Sequence, residues 1–371
     1  MILIGIVIIA IAEAVCFVFF KDKMSWQKYV ILLNIGFIIL FGSQLIATYG
    51  TALETEYIGE YALACDYYEP WNEWHHDMCS RDIPSGTDSD GNITYTTYYY
   101  DCSHVDSHGP SYKITTNLGK NYDVDLGMYN YLTKIWKNKQ YIDLGRNYYT
   151  QDGDKYTTHW NNDDHTIIPY ISTQLYTNKT RHAPSVFKFY QPDTAHIKLF
   201  NYPKVINNTC PSILQEGNIM DYTQADQLLT NYNGLIGSVK QVRMWLLIFH
   251  DRPDGYAVHQ ESYWKGGNKN EVVVCVSIND TAKIQWAKVF SWTKRNDMKE
   301  DIQAMILAQS KFDPLTTVTN LKDIVAQKFE RRQFKEFDYL TVEIEPIIQI
   351  LILSLLLMVL IITIIFFTIR N

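Results

Sequence analysis

Histidines and cysteines around one predicted hairpin are the residues of this 371-residue chain best suited to chemistry. Six of them flank the hairpin: His75, His76 and Cys79 before it, and Cys102, His104 and His108 after it. If the two arms pair, these side chains gather at one end, where imidazole and thiolate ligands suit a tetrahedral zinc ion. Their spacing matches no standard zinc module, and a disulfide would consume both thiolates. A zinc site made of the four histidines with Asp101 or Asp106 then stays open.

The hairpin is predicted from a strong turn signal, Asp90-Gly91. The segment Ile93 to Tyr100 is rich in Thr and Tyr, which is typical of a strand, and Pro84 in the other arm predicts a bulge or an edge. Cys79 and Cys102 each lie eleven residues from the turn, so pairing about it would place them opposite each other. The spacing therefore predicts a Cys79–Cys102 disulfide.

The other cysteines are interpreted by their surroundings. Cys16 lies in a hydrophobic segment, and Cys275 lies in the middle of an apolar strand, which indicates a buried free thiol. The four that are left allow three pairings: Cys65, Cys79, Cys102 and Cys210. Once Cys79–Cys102 is favoured, Cys65–Cys210 follows by elimination. Such disulfides are expected if the domain faces an oxidising compartment.

Motifs of common enzymes are not found in the sequence: it has no G-x-S-x-G, H-E-x-x-H, P-loop or G-x-G-x-x-G pattern. Gly266-Gly267 is more typical of a turn between strands than of a phosphate cradle. The stretch Trp71–Trp74 could stack on a sugar ring, although packing in an aromatic core is the commoner use. A net charge of −7 without a basic stripe does not indicate a nucleic acid partner.

Three hydrophobic segments must position these residues relative to a membrane. They are residues 2–20, 29–47 and 346–369, each near the ~20 residues that a helix needs to cross a bilayer. The loop 21–28 carries three lysines and Arg370 follows the third segment, whereas the other flanks are acidic. The positive-inside rule predicts a cytoplasmic loop and C-terminus, with the N-terminus and the main domain outside, periplasmic or extracellular. The lipid bilayer is therefore the first expected partner.

Glu13 is a carboxylate within a span, which by default indicates a functional site. Counted from the cytoplasmic ends, Asn34 and Thr363 fall at a similar depth, so the three residues could form one polar layer. Such a layer would join the helices by hydrogen bonds worth about 1 kcal/mol each. The alternative use is a proton or ion path.

The composition and hydrophobic pattern of the sequence between the spans change once. Residues 50–216 are rich in Tyr, Thr, Asn and Asp, with short alternating runs that predict β-strands and long loops. Residues 217–342 begin with a helix whose Thr223 and Asp226 resemble a capping box. Three strands follow at 242–249, 272–278 and 284–292, then helices at 298–308 and 318–334. This order predicts α/β layers, and the whole chain is predicted to be a multi-pass membrane protein with an extracytoplasmic α+β region.

The second region resembles the TPM fold. The resemblance rests on the runs Met244–Phe249, Tyr263–Gly267 and Val272–Val274 and covers roughly residues 220–340. Members of that family often pair an α/β domain with a C-terminal span, so the resemblance implies the same arrangement here. Some members are phosphatases or bind calcium through acidic residues, but no equivalent acidic cluster follows the third strand. The segment Tyr67–Glu73 with Cys102–His104 is similar to membrane proteins of large tailed phages and bacteria, which implies no activity.

The architecture favours binding over catalysis. A domain anchored at both ends keeps a fixed orientation to the membrane, which suits a binding or assembly module of the cell envelope. Its partner would be an envelope protein or a second copy of the chain. Two alternatives stay open: an extracytoplasmic metal-dependent hydrolase built on the histidines, and an oligomeric proton or ion pathway through Glu13.

Overall fold

The structure consists of three long apolar helices and a β-rich body. The computed structural model describes residues 1–143, 150–152, 156–162, 166–184, 186–187, 189–190 and 192–369. The helices are α1 (Ile2–Phe19), α2 (Trp26–Ala52), α3 (Leu126–Ile135), α4 (Thr223–Lys240), α5 (Gly255–Tyr263), α6 (Asn296–Leu307), α7 (Pro314–Lys328) and α8 (Pro346–Ile369). The strands of the first half are β1 (Leu53–Tyr68), β2 (Trp71–His75), β3 (Met78–Thr87), β4 (Ile93–Asp101), β5 (His104–His108), β6 (Ser111–Thr116), β7 (Asn121–Val124), β8 (Asn138–Asp143), β9 (Thr150–Asp152), β10 (Tyr156–Asn161) and β11 (Pro169–Thr177). The strands of the second half are β12 (Ile213–Gln215), β13 (Arg243–His250), β14 (Glu271–Ile278) and β15 (Ile284–Ser291).

Helices α1, α2 and α8 are each long and apolar enough to cross a membrane, as the sequence predicts. Gly36 on α2 leaves room for Ile9 of α1, and Gly5 on α1 faces Leu40 of α2, so the two helices approach closely. The second helix is longer than the predicted 29–47 because it continues into β1 without a loop.

The lysine-rich loop lies at the end of the helix bundle that is far from the body. Lys23 Nζ donates to the carbonyl of Thr368 at 3.3 Å, and Lys28 Nζ donates to that of Phe367 at 3.1 Å. Both carbonyls belong to the last turn of α8, where cations interact favourably with the helix dipole. The loop and the end of α8 therefore share one end of the bundle, as the charge pattern predicts.

The sixteen-residue strand β1 is the centre of the first sheet. Its first half, Leu53–Tyr61, pairs antiparallel with β11, and its second half lies between β6 and β10. The sheet order is β7-β6-β1-β10-β8, with β11 on the first half of β1. Helix α3 covers this sheet with a small core that includes Ile114, Leu132 and Trp136.

The second sheet has the order β12-β13-β14-β15, with β12, β13 and β14 parallel and β15 antiparallel. On one face, α4, α6 and α7 pack against alternate residues such as Leu246 and Val274. On the other face, Trp245 and Phe249 pack against Trp264, at the end of α5, and aromatic side chains of the first half. Because both faces are covered, β13 and β14 consist of nearly continuous apolar runs.

The two sheets are joined where α4 crosses β1. A Cβ atom at Gly59 would lie 2.0 Å from the carbonyl oxygen of Asn233, and one at Gly237 would lie 2.9 Å from the carbonyl of Gly59. Only glycine permits this approach of strand and helix backbones. The first and second halves of the body therefore share a tightly packed interface.

Several details differ from the prediction. Strand β12 lies before the predicted boundary at residue 216, yet it is the edge of the second sheet. Asp226 does not form a capping box: its carboxylate accepts from the backbone N–H groups of Ser212 and Ile213, each at 2.7 Å. Helix α7 ends at Lys328 and not at the predicted Phe334, because Phe329 turns inward with an extended backbone.

Candidate functional site

Strands β3 and β4 form an arm that extends from the body. Every residue from Ser80 to Asp101 is exposed, on both faces of the ribbon. The tip is a five-residue loop in which Asp88 Oδ1 accepts from the backbone N–H groups of Asp90 and Asn92. A bulge interrupts the ladder between Pro84 and Gly86, which confirms the irregularity predicted from the proline. The arm therefore has little packing of its own, and isolated two-stranded hairpins are marginally stable in water.

A disulfide between Cys79 and Cys102 closes the base of the arm, with the Cα atoms 5.7 Å apart. The pair is the predicted one, but the register differs from the prediction. Cys79 lies opposite Tyr100, because the wider loop and the bulge displace the strands. Cys102 just beyond β4 remains in reach, and its N–H donates to the carbonyl of Asp77.

The second predicted disulfide, Cys65–Cys210, does not form, and both residues are buried free thiols. Cys65 lies in the core of the first sheet, whereas Cys210 packs against the second sheet beside Trp245. Cys16 and Cys275 are also free and buried. Burial raises the pKa of Cys65 to about 12, so this thiol is protonated and unreactive at neutral pH.

At the base of the arm, β2 and β5 carry a row of facing side chains, here called the base stripe: Trp71, Glu73, His75, His104, Asp106 and His108. Cross-strand register places these residues in three direct pairs. The Trp71 and His108 rings stack at 4.3 Å, and the His75 and His104 rings stack at 5.0 Å. Between them, the carboxylates of Glu73 and Asp106 lie opposite each other. The stripe is partly or fully exposed along its length.

The base stripe brings two of the four predicted histidines to one carboxylate. His75 Nε2 lies 3.4 Å from Asp106 Oδ2, and His104 Nε2 lies 3.9 Å from Asp106 Oδ1. Ligand atoms of these three residues all fall within 4.8 Å of one another. His108 instead pairs with Glu73 at 3.2 Å.

The other predicted participants lie apart from this group. His76 stacks on Trp74 at 5.2 Å, on the opposite side of β2. Asp101 accepts hydrogen bonds from the hydroxyl and N–H of Ser103, which lower the pKa of its carboxyl. The contributions of Glu73 and Asp77 were not predicted, although the alternation of Glu73 with His75 in one strand is a signal that could have indicated the first.

The polar layer predicted within the helix bundle does not form. Asn34 lies on an exposed face of α2, where its Nδ2 donates to the carbonyl of Val30 at 2.7 Å. Thr363 Oγ1 donates to the carbonyl of Val359 in its own helix at 2.8 Å. Glu13 Oε1 is buried without a hydrogen-bond partner among the described residues. The side-chain hydrogen bonds of Asn34 and Thr363 thus stay within their own helices, and among the described residues none joins the helices through the three predicted residues.

Two carboxylates on β1 are buried, where the sequence predicts only an acidic flank. Glu60 is fully buried and accepts from Thr116, Ser172 and the Tyr122 hydroxyl. Glu56 is fully buried and pairs with Arg331 and with Lys269, whose Nζ lies 3.6 Å away. These contacts fix β1 to its neighbours. Glu56 and Glu60 are an even number of residues apart, which places both on one face of the strand, and this pattern could have indicated their shared burial.

A cavity of about 520 Å³ lies where α2 passes into β1. Its wall includes Leu53, Glu54, Arg181 and Trp264. Arg181 Nη1 donates to Glu54 Oε2 at 2.9 Å. Burial alone would raise the pKa of Glu54, but hydrogen bonds and charge from His182 and Arg181 hold it below the ordinary value. The charge of Arg181 is therefore paired with that of Glu54 within the protein.

A second cluster of possible ligands, not predicted from sequence, lies at the end of β13. His250 Nε2 lies 2.8 Å from Asp280 Oδ1 and 3.7 Å from Asp251 Oδ2. This group offers one imidazole, whereas the base stripe offers two that converge on Asp106.

No model of a known protein family matches this sequence, and no curated protein is detectably similar to it. The resemblance of residues 220–340 to the TPM fold therefore stays a prediction.

Proposed function

We propose that this protein is a membrane-anchored docking module that presents its arm to another protein of the cell envelope. In this proposal the body lies on the extracytoplasmic side, with the lysine-rich loop and the C-terminus in the cytoplasm. The observation that carries it is the full exposure of Ser80–Asp101, a ribbon closed by a disulfide and placed outside every core.

The surface of the arm has the composition of a recognition surface. Tyr95, Tyr98 and Tyr99 are 61%, 49% and 66% exposed. Tyrosine supplies a rigid apolar ring and a polar hydroxyl, and it is enriched in protein–protein contacts. Both edges of the two-stranded ribbon also leave backbone groups available for a further strand.

Charge distinguishes between the candidate partners. The exposed segment carries one cation and four anions: Arg81 against Asp82, Asp88, Asp90 and Asp101. Arg81 itself lies over the rings of Tyr98 and Tyr100, at 5.7 and 5.8 Å from their centroids. An acidic arm on a chain of net charge −7 repels its own copies and favours a partner with a basic surface.

Photo-crosslinking in the cells that naturally make the protein tests this proposal. A photoreactive phenylalanine analogue at Tyr95 or Tyr99 is expected to give one crosslinked protein in the membrane fraction. The same analogue at Tyr339, which is 72% exposed on the second half of the body, is the matched control and should give none. The double variant Asp82→Asn with Asp90→Asn should reduce the product several-fold, while Asp123→Asn on the first sheet should not. A crosslinked dimer of this chain, or equal products from Tyr99 and Tyr339, would overturn the proposal.

A further inference from the structure

We infer that the base stripe binds one divalent transition-metal ion, zinc by preference, through His75, His104, Asp106 and Glu73. The site would join β2 to β5, the two strands from which the arm begins and to which it returns. The inference concerns metal binding by the chain alone and does not rest on the proposed docking partner.

The first argument is the spacing of the ligand atoms. Bonds of 2.0–2.1 Å to a tetrahedral zinc ion place its ligand atoms about 3.3 Å from one another. Asp106 lies 3.4 Å from His75 Nε2 and 3.9 Å from His104 Nε2, and Glu73 Oε2 lies 3.7 Å from His75 Nε2. Three ligand atoms, one each from His75, His104 and Asp106, lie within 4.8 Å of one another, and Glu73 adjoins them beside His75.

The second argument is the support of the ligands by other carboxylates. His104 Nδ1 lies 3.4 Å from Asp77 Oδ2, which leaves Nε2 as the ring nitrogen that faces Asp106. Histidines that bind metals commonly donate their other N–H to a carboxylate, which fixes the ring and its tautomer. Asp77 is therefore assigned as a positioning residue for His104.

The third argument is charge. Glu73 and Asp106 lie directly opposite each other on neighbouring strands, an arrangement that repels. Among the described residues, the ion pairs of Glu73, Asp77 and Asp106 are with histidines and not with lysine or arginine. One divalent cation between the strands would offset this negative charge.

Zinc titration of the detergent-purified full chain, stripped of metal with a chelator and returned to chelator-free buffer, tests the inference. Calorimetry is expected to show saturable binding of one Zn²⁺ per chain, and Co²⁺ in its place should give the visible absorption of a tetrahedral ion. His104→Ala and Asp106→Asn should each weaken binding by at least ~100-fold, and Asp77→Asn by about 10- to 100-fold.

Matched controls separate this site from other histidines. His250→Ala removes the imidazole of the second cluster, and His196→Ala removes an exposed histidine that pairs with Asp193. Both variants should bind zinc like the wild type. Asp106→Asn keeps the shape of the side chain, so intact folding with lost binding would support the site. Absence of saturable zinc binding in the wild type, or its loss in His250→Ala alone, would overturn the inference and leave the crosslinking test unaffected.

Discussion

The arm and the second sheet both pair neighbouring strands, but different forces hold those strands together. In the arm, Ser80–Asp101 are exposed throughout and a disulfide closes the base. In the second sheet, β13 and β14 are buried at almost every position, and Cys275 in their midst is a free thiol. Burial raises the pKa of Cys275, so the same residue type that crosslinks the arm is an inert apolar side chain in the core. A covalent bond is placed where burial cannot stabilise the fold.

The largest expected effect comes from a cavity in the second sheet. Leu246→Ala removes a fully buried side chain whose register partners are Ile213 and Val274, and it should cost about 2–5 kcal/mol of unfolding free energy. Urea unfolding of the full chain in detergent, followed by tryptophan fluorescence, measures it. Ile83→Ala in the arm is the control, since Ile83 is exposed, and it should change stability by less than about 0.5 kcal/mol. Equal losses in both variants would contradict the separation of arm and core.

The next effect is local to the arm. Replacing Cys79 and Cys102 by serine removes a crosslink across 23 residues of sequence, worth about 3 kcal/mol in the chain-entropy account. Hydrogen exchange of the β4 amides should then accelerate strongly, while exchange of the β13 amides stays unchanged. Reduction of the wild type with dithiothreitol should reproduce the result. Faster exchange of the β13 amides would contradict this prediction, because it would show that the arm contributes to the stability of the second sheet.

The smallest effect depends on pH. Burial would raise the pKa of Glu216, but hydrogen bonds from Arg252 and from the N–H of His250 lower it overall. A carboxylate with a lowered pKa contributes stability that is complete above its unfolded value near 4.5 and is lost as pH falls through the folded value. The urea midpoint of the wild type should therefore fall between pH 6 and pH 3. Glu216→Gln should lower the urea midpoint at pH 6 and make it less dependent on pH. The Cys79–Cys102 disulfide in the arm does not titrate, so it adds no such dependence.

The elements that the sequence predicts best are those set by local pattern. The three spans follow from run length, and β13, β14 and β15 follow from apolar runs of strand length. The arm follows from Asp90-Gly91 and from two cysteines at equal distance from it. Its register was not predictable, because the sequence indicates a two-residue turn whereas the loop extends from Asp88 to Asn92, closed by hydrogen bonds to Asp88.

The errors have a common physical origin in long-range contacts. Cys65 and Cys210 were paired by elimination, which contains no distance, and they lie in two different cores. Asn34 and Thr363 were grouped by depth, which omits direction around the helix. Helix α5 is not among the predicted elements. Its buried residues are Ala257, Gln260 and Ser262, so the sequence there has no apolar stripe that would indicate a helix. Within the base stripe, the sequence indicates His75 and His104, but the convergence of both on Asp106 requires the register of β2 with β5.

Strand β1 has a mechanical consequence. It continues from α2, pairs with β11 over nine successive residues, and leads through β2 to the arm. If the arm binds a partner as proposed, a pull on the arm would be transmitted through β2 and β1 toward α2. A force along β1 would load the nine residue pairs with β11 together in shear, and the buried contacts of Glu56 and Glu60 would resist sliding of the strand. The arm and the helix bundle are thus the two ends of one tether through the body.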